Sequence, residues 1–328
     1  MNRTPAPADG RELGRRLRER DRSAAAASLN LLESRAPAAR EQAQALLAEL
    51  SPAALGREAP AHIIGVTGPP GVGKSSLLSR LVAHWRANQR SVAVLAVDPS
   101  SRRSGGSLLG DRARIETDPK DRDVFIRSTA AGTRLGGLAP ATRAASEALA
   151  AAFDVVVIET VGVGQSETEV ADAVDTVAVV LQPASGDVLQ FLKAGIMEVP
   201  DVLVLTKTDL GAAATRAMAD LRAALAALGA TDTEVCAVSS VPPPLGIERL
   251  AQTLDAHRAR LDLPRRRRHA RRRHALENFA AEHGERGLRA LGGRAQADRW
   301  LAQQDPALDA ATLERALTDR AEHAEGHG

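Results

Sequence analysis

The chain has one cysteine, no tyrosine, and only 2% aromatic residues across its 328 positions. A single thiol, Cys236, excludes a disulfide framework and any cysteine-rich metal centre. Scarce aromatics leave few platforms on which unpaired bases stack, and a net charge of +2 gives no global pull on polyanions. Nucleic acid is therefore not an expected partner. No stretch approaches the ~18 consecutive apolar residues of a membrane span, and residues 1–10 lack the apolar core of a signal peptide. The expectation is a cytoplasmic protein with no membrane partner. Three methionines are too few for a methionine-rich signal-binding domain. Eight scattered histidines with no His-x-His or Cys-x-x-Cys cluster leave no metal relay. The sharpest shortage is lysine. Among 43 basic residues, lysine occurs only as Lys74, Lys120, Lys193 and Lys207. Arginine serves nearly everywhere else, so Lys74 marks a place where a compact charge on a flexible stem is wanted instead of a planar fork, and the other three lysines become candidates for the same reason.

What is present begins at residue 68. Gly68-Pro69-Pro70-Gly71-Val72-Gly73-Lys74-Ser75 is a complete G-x-x-x-x-G-K-[ST] phosphate loop, followed by Ser76. An apolar run, Ile63-Ile64-Gly65-Val66-Thr67, enters it. A helical pattern of Leu77, Leu78, Leu81, Val82 and Trp85 leaves it. Glycines let backbone N–H groups turn toward phosphate oxygens, and the helix N-terminus adds its positive dipole there. Lys74 is expected at the β- and γ-phosphates, and the Ser75 hydroxyl at Mg²⁺.

The surrounding pattern predicts an α/β chain: a P-loop NTPase with a mostly parallel sheet covered by helices on both faces. Strand-like runs fall at 61–67, 92–97, 124–127, 154–159, 176–181, 202–206 and 234–238, with helical stretches between. Continuously apolar runs such as Val155-Val156-Val157-Ile158 mark parallel strands buried on both sides. Residues 1–60 read as a helical extension ending in a Pro- and Gly-containing linker at 52–60, residues 61–263 as the nucleotide domain, and residues 264–328 as a helical arm. The arm opens with Arg265–Arg268 and Arg271–Arg273, a run that reads as a solvated helix face, with an acidic partner protein as the other reading.

Further motifs fall at strand ends, where such sheets bind ligands. Asp98 closes one strand, and a carboxylate there reaches a metal directly or through water. Glu159 closes another, followed three residues later by Gly162, the arrangement that senses a γ-phosphate. Lys74, Asp98, Glu159 and Gly162 are thus the candidate catalytic residues, with Ser75, Asp98 and Glu159 as metal ligands. Thr206-Lys207-Thr208-Asp209 is a [NT]-K-x-D base-reading motif. Asp209 can accept from the N1–H and 2-amino group of guanine, a donor pair that adenine lacks. Ser239, Ser240 and Val241 follow the last strand, where a backbone N–H can meet the guanine 6-oxygen. GTP and Mg²⁺ are the expected ligands.

Together with Val97-Asp98-Pro99-Ser100-Ser101, Gly105–Asp111, Glu159–Glu167, Leu181-Gln182-Pro183 and Gly195-Ile196-Met197-Glu198, these residues resemble the MeaB/ArgK family of P-loop GTPases. That family comprises chaperones of cobalamin-dependent acyl-CoA mutases. The resemblance implies GTP hydrolysis that gates adenosylcobalamin loading and protection of a mutase such as methylmalonyl-CoA mutase. It also implies a homodimer through the C-terminal arm, and a cobalamin adenosyltransferase as a further partner. Loops near 98–115 and 160–170 would act as switches, and the segment from Gly186-Asp187 to Lys193 would communicate with the mutase. The chain departs from the family pattern at 128–137 and 183–187, on expected partner surfaces. An ATP-dependent kinase associated with basic amino acid transport is the competing reading, and Asp209 argues against it.

Overall fold

The computed structural model describes residues 8–34, 36–98, 115–130, 138–160, 170–183, 200–230 and 232–325. The chain divides into two compact units, residues 61–146 with 153–261, and residues 1–60 with 147–152 and 262–328.

The second of these begins with α1 (Gly10–Arg18), α2 (Ala25–Glu33), α3 (Pro37–Glu49) and the single turn α4 (Pro52–Leu55). The Asp9 carboxylate caps α1 by accepting the N–H groups of Arg11 and Glu12. Leu13, Leu17, Leu29 and Leu46 are buried where these helices meet. The helices touch closely because α1 presents glycine: a Cβ on Gly10 would stand 1.8 Å from the Gln42 carbonyl oxygen. The 52–60 stretch is not the plain linker expected from its Pro and Gly content. Proline is well suited to the first turn of a helix, where its missing N–H costs nothing. Ser51 accepts the Ala54 N–H to cap that turn, and the Ala53 N–H donates to the Ala307 carbonyl at 3.2 Å.

The other unit carries β1 (His62–Thr67), α5 (Lys74–Ala87), β2 (Val92–Asp98), β3 (Val124–Ala130), α6 (Pro140–Ala152, shared with the helical unit), β4 (Val155–Glu159), β5 (Thr176–Leu181), β6 (Val202–Leu205), α7 (Ala212–Ala227), β7 (Glu234–Ala237) and α8 (Ile247–Arg260). Among the described residues these strands form one seven-stranded sheet in the order β3-β2-β4-β1-β5-β6-β7, with every neighbouring pair parallel. Alternate residues Ile64, Val66, Val94, Val157, Val180 and Val204 join Leu77, Leu81 and Trp85 of α5 and Leu250 and Leu254 of α8 in one core. Their neighbours of opposite pleat, Ile63, Leu95, Val156, Ile158, Val179 and Leu203, are buried too. Both faces of the sheet are therefore covered, the physical reason the central strands read as unbroken apolar runs. At the edge, β7 is exposed at Glu234 and Ala237 and buried only at Cys236.

The helical unit resumes with α9 (Leu263–Ala290), α10 (Arg294–Leu301) and α11 (Ala310–Glu325), which enclose Phe279, Leu288, Leu301, Leu313 and Leu317. The arginine run that opens α9 is only partly the solvated face expected. Arg267 and Arg271 are buried. Arg267 donates to the Ala59 carbonyl at 2.7 Å, and Arg271 grips both Glu58 carboxylate oxygens at 2.9 Å each. Helical periodicity turns these two members of the run inward, where a planar fork can satisfy a carboxylate bidentately. Arg268 stays exposed.

Candidate functional site

Every strand-end motif described lies at the carboxyl edge of the sheet, the edge at which open parallel sheets place their ligands. The phosphate loop leaves β1 at Gly68, whose φ of +141° and position against β5 leave no room for a side chain. A Cβ there would lie 2.1 Å from the Val180 carbonyl oxygen. Gly71 and Gly73 hold φ of +79° and +95°, and Gly73 begins the first hydrogen-bonded turn of α5 by accepting the Leu77 N–H. Glycine is required at these three positions because side chains are strained at positive φ. Pro69 and Pro70 stiffen the turn between them.

Lys74 is buried, and its ammonium donates to the Gly68 and Pro69 carbonyls at 2.7 and 3.0 Å, so the charge is held inside the loop that it helps to shape. The Ser75 hydroxyl reaches Glu159 Oε1 at 3.2 Å, joining the start of α5 to the end of β4. A hydroxyl and a carboxylate so placed suit a hard cation that keeps several waters and phosphate oxygens as its other ligands. Thr67 and Thr160, at the ends of β1 and β4, have buried hydroxyls without a hydrogen-bond partner among the described residues. This end of the site is thus short of polar partners, which fits hydrated Mg²⁺ and phosphate. The backbone of Asp98 ends β2 in register with Ala130. Its side chain, Gly162, the greater part of both switch segments and Lys193 lie outside the described residues.

The candidate base-reading residues assemble beside the loop. Thr206 directs its hydroxyl at the Val72 and Leu181 carbonyls, at 2.6 and 2.9 Å, so threonine here bolts the phosphate loop to β5 and β6. Lys207, in the left-handed region at φ +54°, extends its ammonium to the Gly71 carbonyl at 3.0 Å and to the Gln182 side-chain oxygen. Two of the four lysines therefore brace the same loop. Lys120 is exposed and belongs to no such cluster. Asp209 Oδ1 accepts from the Ser239 hydroxyl at 2.6 Å, which fixes the carboxylate plane and leaves its other oxygen available. Thr206, Lys207 and Asp209 line a cavity of about 340 Å³ together with Val72, Gly73, Ser76, Ser240 and Val241. The same cavity is lined by Ser79, Arg80, Glu116 and Pro242, which the motif reading did not include, and Gln182 was not counted among its site residues either. Ser76 and Arg80 stand four apart on a helix that is otherwise mostly apolar, so they share a face. That spacing was the available signal.

A family model described as methylmalonyl Co-A mutase-associated GTPase MeaB matches residues 25–288. The chain belongs to the MeaB family. A Caulobacter vibrioides protein named for GTPase activity is 47% identical over 215 residues, 65% of each chain. A Caenorhabditis elegans protein, the mitochondrial methylmalonic aciduria type A homolog, is 42% identical over 199 residues, 57% of this chain and 49% of its own. The matched segment thus spans less than two thirds of either relative. A crystal structure of an LAO/AO transport system kinase aligns with TM-score 0.62 and 28% identity, over 96% of this chain and 98% of that one. No helix among the described residues is long and apolar enough to cross a membrane.

Proposed function

We propose that this MeaB-family chain binds GTP and, with Mg²⁺, hydrolyses it to GDP and phosphate. We propose further that the cycle gates adenosylcobalamin loading and protection of an acyl-CoA mutase. The observation that carries the nucleotide half is the corner formed by Asp209, Ser239 and Lys207 against the phosphate loop. A carboxylate oriented by the Ser239 hydroxyl accepts well from guanine N1–H and the 2-amino group. Adenine presents a lone pair at N1 and no 2-amino donor, so the carboxylate would lose hydration without replacement. This disfavours the ATP-dependent kinase reading, although a related structure carries a kinase name.

In this reading Lys74 sets its charge on the β- and γ-phosphate oxygens, and the Gly162 N–H meets the γ-phosphate. Ser75, with Asp98 and Glu159, would hold Mg²⁺, which supplies charge neutralisation between the β- and γ-phosphates. The mutase half rests on the family description and on the name of the nematode relative. Homodimerisation through residues 264–328, a cobalamin adenosyltransferase as second partner, and a cytoplasmic location complete the proposal.

The test is displacement of a fluorescent GDP analogue. GTP should compete better than ATP by orders of magnitude. Asp209→Asn should weaken GTP and raise tolerance for xanthosine nucleotides, because an amide can donate to the 2-oxygen. Equal displacement by ATP and GTP would overturn the base assignment. Retention of a methylmalonyl-CoA mutase on the immobilised protein should depend on a non-hydrolysable GTP analogue. If no nucleotide state retained the mutase, the partner half would fall and the nucleotide half would stand.

A further inference from the structure

The base-reading loop is fastened from an unexpected side. Ser239 is tied down on the sheet flank: its N–H donates to the Leu245 carbonyl at 3.0 Å, and its hydroxyl serves Asp209. The next N–H but one, on Val241, turns back to the Ser239 hydroxyl at 3.3 Å. Between them stands residue 240. Its carbonyl accepts from Arg80 Nε at 3.1 Å, across from α5, and its N–H has no partner among the described residues. Arg80 is half-buried and lines the same cavity as Ser240 and Asp209, and its side chain makes no other hydrogen bond or ion pair among the described residues. A charged donor has thus been committed to a single backbone carbonyl beside one free N–H.

We propose that Arg80 is a positioning residue for base recognition: by holding the Ser240 carbonyl it aims the Ser240 N–H at the 6-oxygen of a guanine whose other edge meets Asp209. The inference rests on the guanine reading above and extends it to a residue outside every nucleotide motif. The physical argument is one of freedom. Val241 and Leu245 are among the most exposed apolar residues of the chain, at 56% and 59%, so packing alone does not hold this loop. A hydrogen bond from a guanidinium on a rigid helix supplies the missing constraint, and the helix is the one whose N-terminus carries the phosphate loop. Phosphate end and base end are thereby set on one element.

Three diphosphates separate this role from a general contribution to folding. GDP has both groups, IDP lacks only the 2-amino group, and 2-aminopurine riboside diphosphate keeps the 2-amino group but has no 6-oxygen. With Arg80→Met, which keeps an apolar stem, GDP and IDP affinities should each fall about tenfold, and the 2-aminopurine nucleotide should change little. The GDP/IDP ratio then stays as in the wild type, and the GDP/2-aminopurine ratio falls. Arg80→Lys, which retains a donor, should recover most of the loss. Equal weakening of all three nucleotides, or no weakening of GDP, would overturn the proposal. If the wild-type protein itself bound ADP as well as GDP, the guanine reading would fall and this inference with it, an outcome distinct from the other two.

Discussion

Replacement of Gly68 by alanine tests whether the phosphate loop is held by steric exclusion or only by backbone freedom. The new Cβ would lie 2.1 Å from the Val180 carbonyl oxygen and 3.0 Å from its carbon, both in the backbone of the interior strand β5. Neither atom can rotate away, so the loop must lift or β5 must move. Overpacking of that kind costs ~1–3 kcal/mol, and forcing a side chain to φ +141° adds ~1–3 kcal/mol of strain. A total of about 4 kcal/mol corresponds to a melting shift on the order of 8–16 °C for a domain of this size. Gly71→Ala is the control. Its φ is +79°, yet a Cβ there meets nothing within 4 Å. It should lose only the strain, about 1 kcal/mol and on the order of 2–4 °C. Differential scanning calorimetry on the two variants, paired with titration of labelled GDP, gives both quantities. If Gly68→Ala melted no lower than Gly71→Ala, the steric argument would be refuted, and glycine would be needed at 68 for its dihedral angle alone.

Lys74→Arg keeps the charge but replaces a compact ammonium, held by two loop carbonyls, with a planar fork, so nucleotide binding and turnover should fall by orders of magnitude in a phosphate-release assay. Near-normal turnover would refute the argument from lysine scarcity. Arg271→Ala strands the largely covered Glu58 carboxylate without its bidentate partner and should cost about 2–3 kcal/mol, against roughly 0.5 kcal/mol or less for exposed Arg268→Ala; equal melting temperatures would return the run to a solvated face. Acid stability depends on His62, which is fully buried, bonded to Thr176 Oγ1 at 2.7 Å, and 3.8 Å from Asp255. The same Thr176 hydroxyl meets His257, which faces Asp201 at 3.2 Å, and the backbone of the following residue, Ile63, is anchored to Asp175. Burial pushes the His62 pKa below its ordinary value, against the pull of Asp255 and Asp175. Above about pH 6.5 the imidazole is neutral in folded and unfolded chains alike. Below it the unfolded chain takes up a proton that the folded one refuses, so stability falls as pH falls, by up to ~1.4 kcal/mol per unit. Unfolding midpoints between pH 7 and 5.5 should slope less in His62→Gln, and parallel slopes would remove His62 from the account.

Much of this protein is written in local sequence. The phosphate loop is a run of eight consecutive residues, and the inner strands β1, β2, β4, β5 and β6 are short apolar runs whose burial on both faces leaves no alternation to blur them. Asp209 and Ser239 stand out as candidates in the sequence because each lies within four residues of a strand's carboxyl end, and the carboxyl edge of a parallel sheet collects such positions. The strand limits agree with the reading to within a residue or two, except β3, which runs on to Ala130 through a Ser-Thr stretch without the apolar character of the others.

What local sequence could not decide are pairings between distant positions, because a side chain's partner is set by where the chain returns. Arg267 and Arg271 look like their neighbours in an arginine run, and only the return of residues 58–59 beneath α9 selects them for burial. Pro52 looks like a linker residue until Ala307 accepts the N–H of the residue after it. Arg80 carries no motif at all, and its bond to Ser240 spans 160 residues of sequence. The sequence alone determined the strands, the phosphate loop and the order of the candidate base-reading residues, since each depends on residues adjacent in the chain. The tertiary structure decided which charges are buried and which helix reaches the Ser240 carbonyl, since those depend on long-range geometry that composition and periodicity do not carry.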